Sequence, residues 1–412
     1  MRGLVRTYRI NQCKSTRLLG WINAVALAAL VAPFGVDAMN KYAVGNVSSK
    51  PFIDSSNRIN KPLRLFISGH SLTDQPLPNQ MEAIASSLGT PLEWNRHYIV
   101  GSSIATRSRG RDLNDQTWSG YRDGFNRSEG RLDVASELRN PKTVTGGIYD
   151  VLIITEQNGL LDSLTFNDTV RYLRHYHDLF IQGNSQGKTY FFEPWIGLND
   201  KSNPRRWIDF ERAASPIWQC IATRINISLN AEGRRDRVYS LPAGAALADL
   251  IETATSARGL PSITLGNIGE TVGSIVKDDV HLTELGSYFV ALVSHSFTHG
   301  RSPYGAWHPK NVSEIQAKAL QQKAWDFYSN YLTTNAPLTL DECQKKLRVS
   351  FISVYWTYVR DVFWPLERNS VSAYFRWLRY LLKWHWQIRH QSRDNPFHFD
   401  PVTDKTYWFP GP

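Results

Sequence analysis

The fold is decided by residues 149–155, Tyr-Asp-Val-Leu-Ile-Ile-Thr, a short apolar run rich in β-branched side chains. Three similar runs occupy residues 63–67, 189–192 and 237–241, and each is followed by a turn sequence containing glycine or proline. Short, nearly continuous apolar runs of this kind are typical of strands buried on both faces of a sheet. We therefore expect these four segments to form a buried sheet.

Helical patterns separate the strands, at residues 80–88, 169–181 and 208–230. Buried strands followed by crossover helices predict an α/β protein, with a parallel sheet covered on both faces. In such sheets the chemistry gathers at the carboxyl ends of the strands. The residues that directly follow each strand are therefore the first candidates for a functional site.

Composition and charge narrow the class of protein. A chain of 412 residues with 42% hydrophobic residues is large enough for one large or two smaller folded domains. The net charge of +10 favours anionic partners. No stripe of Lys and Arg coincides with a nucleic-acid motif, so we expect no nucleic-acid partner.

The first residues have the features of an export signal. Several basic residues precede an apolar run at residues 18–36, and the first acidic residue is Asp37. This pattern predicts a signal peptide at residues 1–38, cut after Ala38 and followed by a polar linker at residues 39–60. The product would be periplasmic or secreted. An uncleaved membrane anchor is the alternative, because the apolar run is nearly long enough to span a bilayer.

The three cysteines are too few for a disulfide scaffold or a zinc site. Export would place Cys220 and Cys343 in an oxidising compartment, where a disulfide between them can form. Two separately buried thiols are the alternative, because the sequence gives no distance between the two residues.

Residues 66–73, Phe-Ile-Ser-Gly-His-Ser-Leu-Thr, place Ser71 just after the first strand. A serine there can start a helix, with its hydroxyl in the cleft and its backbone N–H free to bind an oxyanion. The alternative is a serine that only caps the helix.

The second motif is at residues 278–283, Asp-Asp-Val-His-Leu-Thr, which contain the only Asp-x-x-His of the chain. On one turn, the carboxylate of Asp278 can fix the tautomer of His281. The other ring nitrogen can then take a proton from Ser71. The alternative is that Asp278 or Asp279 caps a surface helix beside an incidental histidine.

Together these motifs resemble the SGNH (GDSL-type) hydrolase family over residues 61–298. The resemblance implies a flavodoxin-like three-layer α/β/α fold and serine esterase or acyl-transfer chemistry, for which we expect no cofactor and no metal. It implies that Ser71 is the nucleophile, His281 the base and Asp278 its orienting carboxylate. The backbone N–H groups of Ser71 and of Gly101, which follows the second strand, would help to form the oxyanion hole.

Two departures from the family pattern affect the predicted site. His70 stands directly before Ser71, where the Gly-Asp-Ser-Leu motif of the family has its aspartate. The family's Gly-x-Asn-Asp block occurs at residues 197–200, after the fourth strand. We favour Asn158 as the oxyanion donor, because it follows the third strand, and keep Asn199 as the alternative. Glu156 replaces a glycine; its carboxylate would oppose the oxyanion if it points inward, or bind a polar part of the substrate.

Residues 299–412 are expected to form a helical, aromatic-rich C-terminal extension. Within it, residues 368–393 contain six Lys or Arg and no acidic residue. One helical face is predicted to be basic and the other apolar: Arg376, Arg379, Lys383 and His390 against Trp377, Leu378, Leu381, Trp384 and Ile388. Such a helix can contact a membrane surface. The alternative is that its apolar face packs on the catalytic domain while the arginines are solvated.

The sequence thus predicts an exported serine esterase for acyl esters, foremost acetyl esters on carbohydrate. Two alternatives stay open: an envelope transacylase, and an envelope-binding protein in which His70 and Glu156 have abolished catalysis. Trp195, at the end of the fourth strand, either lines the substrate pocket or belongs to the core. The oligomeric state is left open.

Overall fold

A seven-stranded sheet forms the centre of the protein. The computed structural model describes residues 61–114, 116–145, 147–364, 370–390 and 394–411, so the predicted signal and linker lie outside the described residues. The strands are β1 (Leu63–Gly69), β2 (Leu92–Tyr98), β3 (Gly124–Phe125), β4 (Arg131–Leu132), β5 (Val151–Thr155), β6 (Lys188–Phe192) and β7 (Val238–Leu241).

The strand order is β4-β3-β2-β1-β5-β6-β7, and the five longer strands run parallel. Counted among themselves, these five strands have the order 2-1-3-4-5 of flavodoxin-like doubly wound sheets. The predicted α/β class and sheet arrangement are therefore confirmed. The direction of winding reverses between β1 and β5, so a crevice opens outside their carboxyl ends.

The sheet is not wholly parallel as predicted, because a small hairpin extends one edge. β3 pairs antiparallel with β2, and β4 pairs antiparallel with β3. Each of these strands has only two residues, which is too short for a hydrophobic period in the sequence to indicate it. The hairpin pairs with β2 only at its last residue, Tyr98, and so covers the carboxyl end of that edge.

The helices are α1 (Leu77–Ser87), α2 (Ile104–Arg109), α3 (Val134–Arg139), α4 (Leu160–Phe166), α5 (Thr169–Gly183), α6 (Arg205–Ala231), α7 (Ala243–Thr255), α8 (Ile268–Ile275), α9 (Glu284–His299), α10 (Glu314–Thr334), α11 (Leu340–Lys346), α12 (Ile352–Val362) and α13 (Ser370–Arg389). They cover both faces of the sheet. On β6, the Tyr190 hydroxyl donates to the Phe297 carbonyl of α9. The ring of the next residue, Phe191, contacts Trp218 of α6. Successive strand residues thus face different helical layers.

The C-terminal extension packs on the α/β part, and all described residues belong to one compact unit. A disulfide joins Cys220 of α6 to Cys343 of α11, which settles the alternative left open by the sequence. The same two parts of the chain also meet where the ring of Phe210 on α6 packs against the ring of Tyr358 on α12, with 4.7 Å between the ring centroids. The buried contact between the C-terminal extension and α6 is therefore held by a covalent bond and by apolar packing.

The last residues also dock. Trp408 Nε1 donates to Ser228 Oγ on α6 at 2.8 Å, and the ring of Phe409 lies 4.6 Å from Tyr172 of α5. A buried ion pair between Arg224 and Asp404 reinforces this contact.

On α13, most of the predicted apolar face is packed inward. Trp384 and Ile388 are buried, while Trp377 and Leu381 are half-buried against the core. The prediction is wrong for Leu378, which is 43% exposed. At 100° per residue it lies about 120° around the helix from Trp384 and so points to solvent.

Candidate active site

Ser71 lies in the turn that follows β1, at the carboxyl edge of the sheet. The Thr73 N–H donates to the His70 carbonyl at 2.9 Å and closes this turn. Gly69 is required here, because a Cβ at this position would overlap the Thr73 hydroxyl. The expectation that Ser71 starts or caps the first helix is wrong: α1 begins at Leu77, with Pro76 at its N-cap.

Asp278 and His281 lie in the loop between α8 and α9. Asp278 Oδ1 accepts the backbone N–H groups of Val280 and His281 at 2.9 and 2.7 Å. Its Oδ2 is 2.9 Å from His281 Nδ1. The capping alternative fails, because the N-cap of α9 is Thr283.

The structure brings these two motifs together across 210 residues of sequence. His281 Nε2 lies 3.0 Å from Ser71 Oγ. With Nδ1–H donating to Asp278, Nε2 is left to accept the serine hydroxyl proton. Partial burial alone would raise the pKa of Asp278, but its two backbone N–H bonds and the His281 ring lower it to about 2. The carboxylate is therefore ionised at neutral pH and orients the imidazole.

A cleft of about 320 Å³ opens beside the serine and contains the predicted oxyanion donors. Ser71, Gly101, Asn158 and His281 all line it. Gly101 has a φ of 61°, a left-handed conformation that favours glycine. The Gln157 side chain donates to the Gly101 carbonyl at 2.6 Å and links the loops after β2 and β5. The strand-order argument thus places Asn158 beside the serine.

Asn199 lies elsewhere. It is exposed in the turn after β6 and is not among the residues that line the described cleft. In that turn, Asp200 Oδ1 accepts the backbone N–H groups of Ser202 and Asn203. The last residue of the segment that matches the family block, Asp200, therefore starts an Asx-type turn over residues 200–203.

His70 is buried in the lining of the cleft, where it holds the loop after β5. Its Nε2 donates to the Glu156 carbonyl at 2.9 Å. Burial and the nearby Arg107 cation lower the pKa of His70 to about 4. The imidazole is therefore neutral at physiological pH and acts as a structural donor.

The Glu156 carboxylate is fully buried and does not line the described cleft. It accepts hydrogen bonds from the backbone N–H groups of Ile104 and Gln157 and from the Thr169 hydroxyl, at 3.2, 2.8 and 2.9 Å. Burial, opposed by the Gln157 N–H and by Arg107, raises the pKa of Glu156 to about 6. The carboxylate thus braces the oxyanion loops from below.

Arg107 on α2 is a functional candidate that the sequence did not indicate. Its fully buried guanidinium donates to Ser68 Oγ at 2.9 Å, to the Ser102 carbonyl at 2.9 Å and to the Thr155 carbonyl. Burial lowers the pKa of Arg107 to about 10, so it stays charged at neutral pH. One cation therefore ties together the ends of β1 and β5 and the loop after β2.

A second cavity, of about 330 Å³, lies on the other side of Ser71. Trp195, Lys277 and Gln75 contribute to its wall. Trp195 is 2% exposed, and its Nε1 donates to the Val280 carbonyl at 2.7 Å. Trp195 is therefore a core aromatic that also lines a cavity beside the candidate nucleophile, so the two expectations for it are compatible.

The C-terminal extension packs behind one side of the first cleft through α12. The Tyr355 hydroxyl donates to Asp162 Oδ2 at 2.8 Å, and Asp162 lines the cleft. Gly159 also lines the cleft, and a Cβ there would lie 3.1 Å from the same hydroxyl. No local sequence pattern indicates this contact, because Tyr355 and Asp162 are 193 residues apart.

Comparisons with known proteins add little to this description. No protein-family model matches the chain, and the comparison with curated proteins gave no match. A crystal structure of a DUF4886 family protein from Bacteroides uniformis is 14% identical, with a TM-score of 0.46. The match covers 68% of this chain and 98% of that chain. At this identity and TM-score, the likeness carries no functional argument.

Among the described residues, no helix has the length and apolar character needed to cross a bilayer. In the same part of the chain, no group of three or more His, Cys, Asp or Glu side chains is arranged to hold a metal ion.

Proposed function

We propose that this protein is a serine esterase of the SGNH type. The observation that carries the proposal is the continuous chain from Ser71 Oγ through the His281 ring to the Asp278 carboxylate, with links of 3.0 and 2.9 Å. These are the distances at which a base can take a proton from a hydroxyl nucleophile and be oriented by a third group. The side chain of His281 is 45% exposed, so a substrate can reach it.

In the acylation step, Ser71 Oγ attacks the ester carbonyl carbon while His281 Nε2 takes the hydroxyl proton. Asp278 stabilises the imidazolium that forms. The tetrahedral intermediate then collapses, the bond to the alcohol breaks, and the imidazolium gives its proton to the leaving alkoxide. The products of this step are a free alcohol and an acylated Ser71.

In the second step, water attacks the acyl-enzyme with His281 again as the base. The carboxylic acid leaves and the Ser71 hydroxyl is restored. In both steps the oxyanion is held by the backbone N–H groups of Ser71 and Gly101 and by the side-chain amide of Asn158. Each such donor typically contributes about 2.7–4 kcal/mol to transition-state stabilisation.

The substrate class we propose is acyl esters with a polar alcohol, foremost acetylated carbohydrate, met after export. Two cavities adjoin Ser71, so an ester there can place its acyl group on one side and its alcohol on the other. Polar side chains are present on both sides, with Gln75 and Lys277 in one wall and Gln157 in the other. Such groups can pair with sugar hydroxyls.

The first test is hydrolysis of p-nitrophenyl acetate by the wild type and by Ser71→Ala. We expect the substitution to abolish turnover and labelling by a serine-directed fluorophosphonate. Ser350→Ala is the matched control, because Ser350 is an exposed serine in the C-terminal extension and should leave both readouts unchanged. Labelling of wild type without hydrolysis would favour the transacylase. If the wild type shows no labelling and no hydrolysis, the enzymatic role is contradicted.

A further inference from the structure

Helix α13 has a second apolar face that points to solvent. Besides the inner face, which packs on α12 through the stacked rings of Tyr380 and Trp356 at 4.4 Å, an outer stripe follows a helical spacing of three to four residues. Its members are Val371 (67% exposed), Tyr374 (58%), Phe375 (72%), Leu378 (43%), Leu382 (59%) and Trp386 (59%). A contiguous exposed apolar stripe of this size is typical of an interaction surface.

Basic residues accompany the stripe. Arg379 and Lys383 lie along one edge of it, and Arg389 is exposed at its C-terminal end. No acidic residue occurs between Ser370 and Arg389. The surface therefore combines apolar side chains, interfacial aromatic rings and positive charge without any compensating carboxylate on the helix.

We propose that α13 docks on an anionic lipid bilayer, with the outer stripe in the headgroup region and the basic edge against lipid phosphates. Helices with this division of faces lie in the plane of the membrane interface. Trp and Tyr are favoured at that depth, and each Lys or Arg near an anionic surface contributes about 1 kcal/mol of binding. This docking does not depend on the chemistry proposed for Ser71.

Charge argues against two other occupants of the stripe. In a symmetric dimer across this face, Arg379 and Lys383 of the two copies would approach one another with no acidic residue on either helix. The charged residues that precede the apolar run at residues 18–36 of the same chain are also all basic. An anionic bilayer supplies the missing negative charge, whereas neither of these partners does.

The docking surface is connected to the candidate active site through α4, which begins just after Asn158 and Gly159. The ring of Tyr380 on α13 contacts Phe166 at the end of α4, at 6.3 Å between centroids. Lys383 Nζ lies 5.4 Å from the same ring. Phe166 is itself 52% exposed and extends the apolar surface. Docking would therefore hold one wall of the cleft close to the bilayer.

The experiment uses the full chain with Cys13→Ser and Phe375→Cys, so that a nitrobenzoxadiazole fluorophore can be attached to the new cysteine. The label is titrated with vesicles of phosphatidylcholine alone and of phosphatidylcholine with phosphatidylglycerol in equal parts. Ile315→Cys, at an exposed apolar position on α10, is the matched control. A local probe reports insertion of α13 whether or not another segment also binds lipid.

We expect a blue-shifted emission at position 375 with the anionic vesicles, a much weaker response with phosphatidylcholine alone, and none at position 315. Arg379→Gln and Lys383→Gln should each weaken the apparent lipid affinity by about fivefold, which corresponds to the loss of ~1 kcal/mol per charge. Added salt should weaken it further.

Three results would overturn the proposal. Emission at position 375 that does not respond to anionic vesicles would show that the stripe does not enter the bilayer. Emission that is blue-shifted without vesicles and rises with protein concentration would identify a second copy as the occupant. Emission that is blue-shifted without vesicles at every concentration would mean that a segment of the same chain covers the stripe.

Discussion

Removal of the disulfide between Cys220 and Cys343 should be among the most destabilising changes available in this protein. The bond closes a loop with a sequence separation of 123 residues between α6 and α11. For a loop of that length, the chain-entropy relation gives about 5 kcal/mol of stabilisation at 25 °C. Small domains have a total free energy of unfolding of roughly 5–15 kcal/mol, so this is a large share.

The double variant Cys220→Ala and Cys343→Ala tests this magnitude. We expect the double variant to lose about 5 kcal/mol of unfolding free energy, measured by urea unfolding with tryptophan fluorescence as the signal. With an unfolding entropy of about 0.7 kcal/mol/K for roughly 350 folded residues, the Tm should fall by about 7 °C. Both side chains are fully buried, so their truncation adds a small further loss.

Cys13→Ala is the control, since it removes the remaining cysteine without touching the bond. It should leave the unfolding midpoint unchanged. A loss of less than about 1 kcal/mol in the double variant would refute the argument that the cross-link restricts the unfolded chain. An equal loss in Cys13→Ala would attribute the effect to something other than the bond.

Three further predictions concern the site and its supports. Asn158→Ala should lower kcat/KM for p-nitrophenyl acetate by about 10²–10³-fold, while Asn199→Ala should have little effect; equal losses in steady-state assays would contradict the assignment. The raised pKa of Glu156 means that its stabilising contribution is complete below pH 4.5 and is lost as the pH rises through about 6. The unfolding free energy of the wild type minus that of Glu156→Gln should therefore fall by about 2 kcal/mol from pH 4 to pH 7.5. A difference that stays constant with pH would contradict this. Tyr355→Phe removes a donor to the half-buried Asp162 carboxylate and should cost about 1.5–3 kcal/mol in urea unfolding at pH 7; an unchanged midpoint would mean that the bond does not matter.

Four of the five long strands could be predicted because each has its own local signal, whereas β2, with the sequence Leu-Glu-Trp-Asn-Arg-His-Tyr, has no continuous apolar run. The apolar runs at residues 63–67, 149–155, 189–192 and 237–241 coincide with β1, β5, β6 and β7. The topology of a parallel sheet then brings the strand ends together, which is why residues as distant as Ser71 and His281 could be predicted to meet. Strand order also separated Asn158 from a better motif match at Asn199.

The features that were missed depend on tertiary packing. Arg107 sits in a segment with Arg109 and Arg111, and nothing local distinguishes the two buried arginines, Arg107 and Arg109, from the exposed Arg111. The contact between Tyr355 and Asp162 joins two helices that are far apart in sequence. On α13, a two-faced helical pattern was expected, whereas the true arrangement has an apolar inner face, an apolar outer stripe and a basic edge.

The contact of α12 with a residue of the cleft lining has a consequence for how the cleft can change. The buried Tyr355 hydroxyl holds Asp162, and neither residue belongs to the proposed triad, so exchanges in the extension are expected to alter the cleft lining while Ser71 and His281 stay in place. The same contact predicts that the two parts are not interchangeable modules. Joining the first 298 residues to a foreign C-terminal segment would leave Ser71 and His281 in place but remove the hydroxyl that holds Asp162 in the cleft lining.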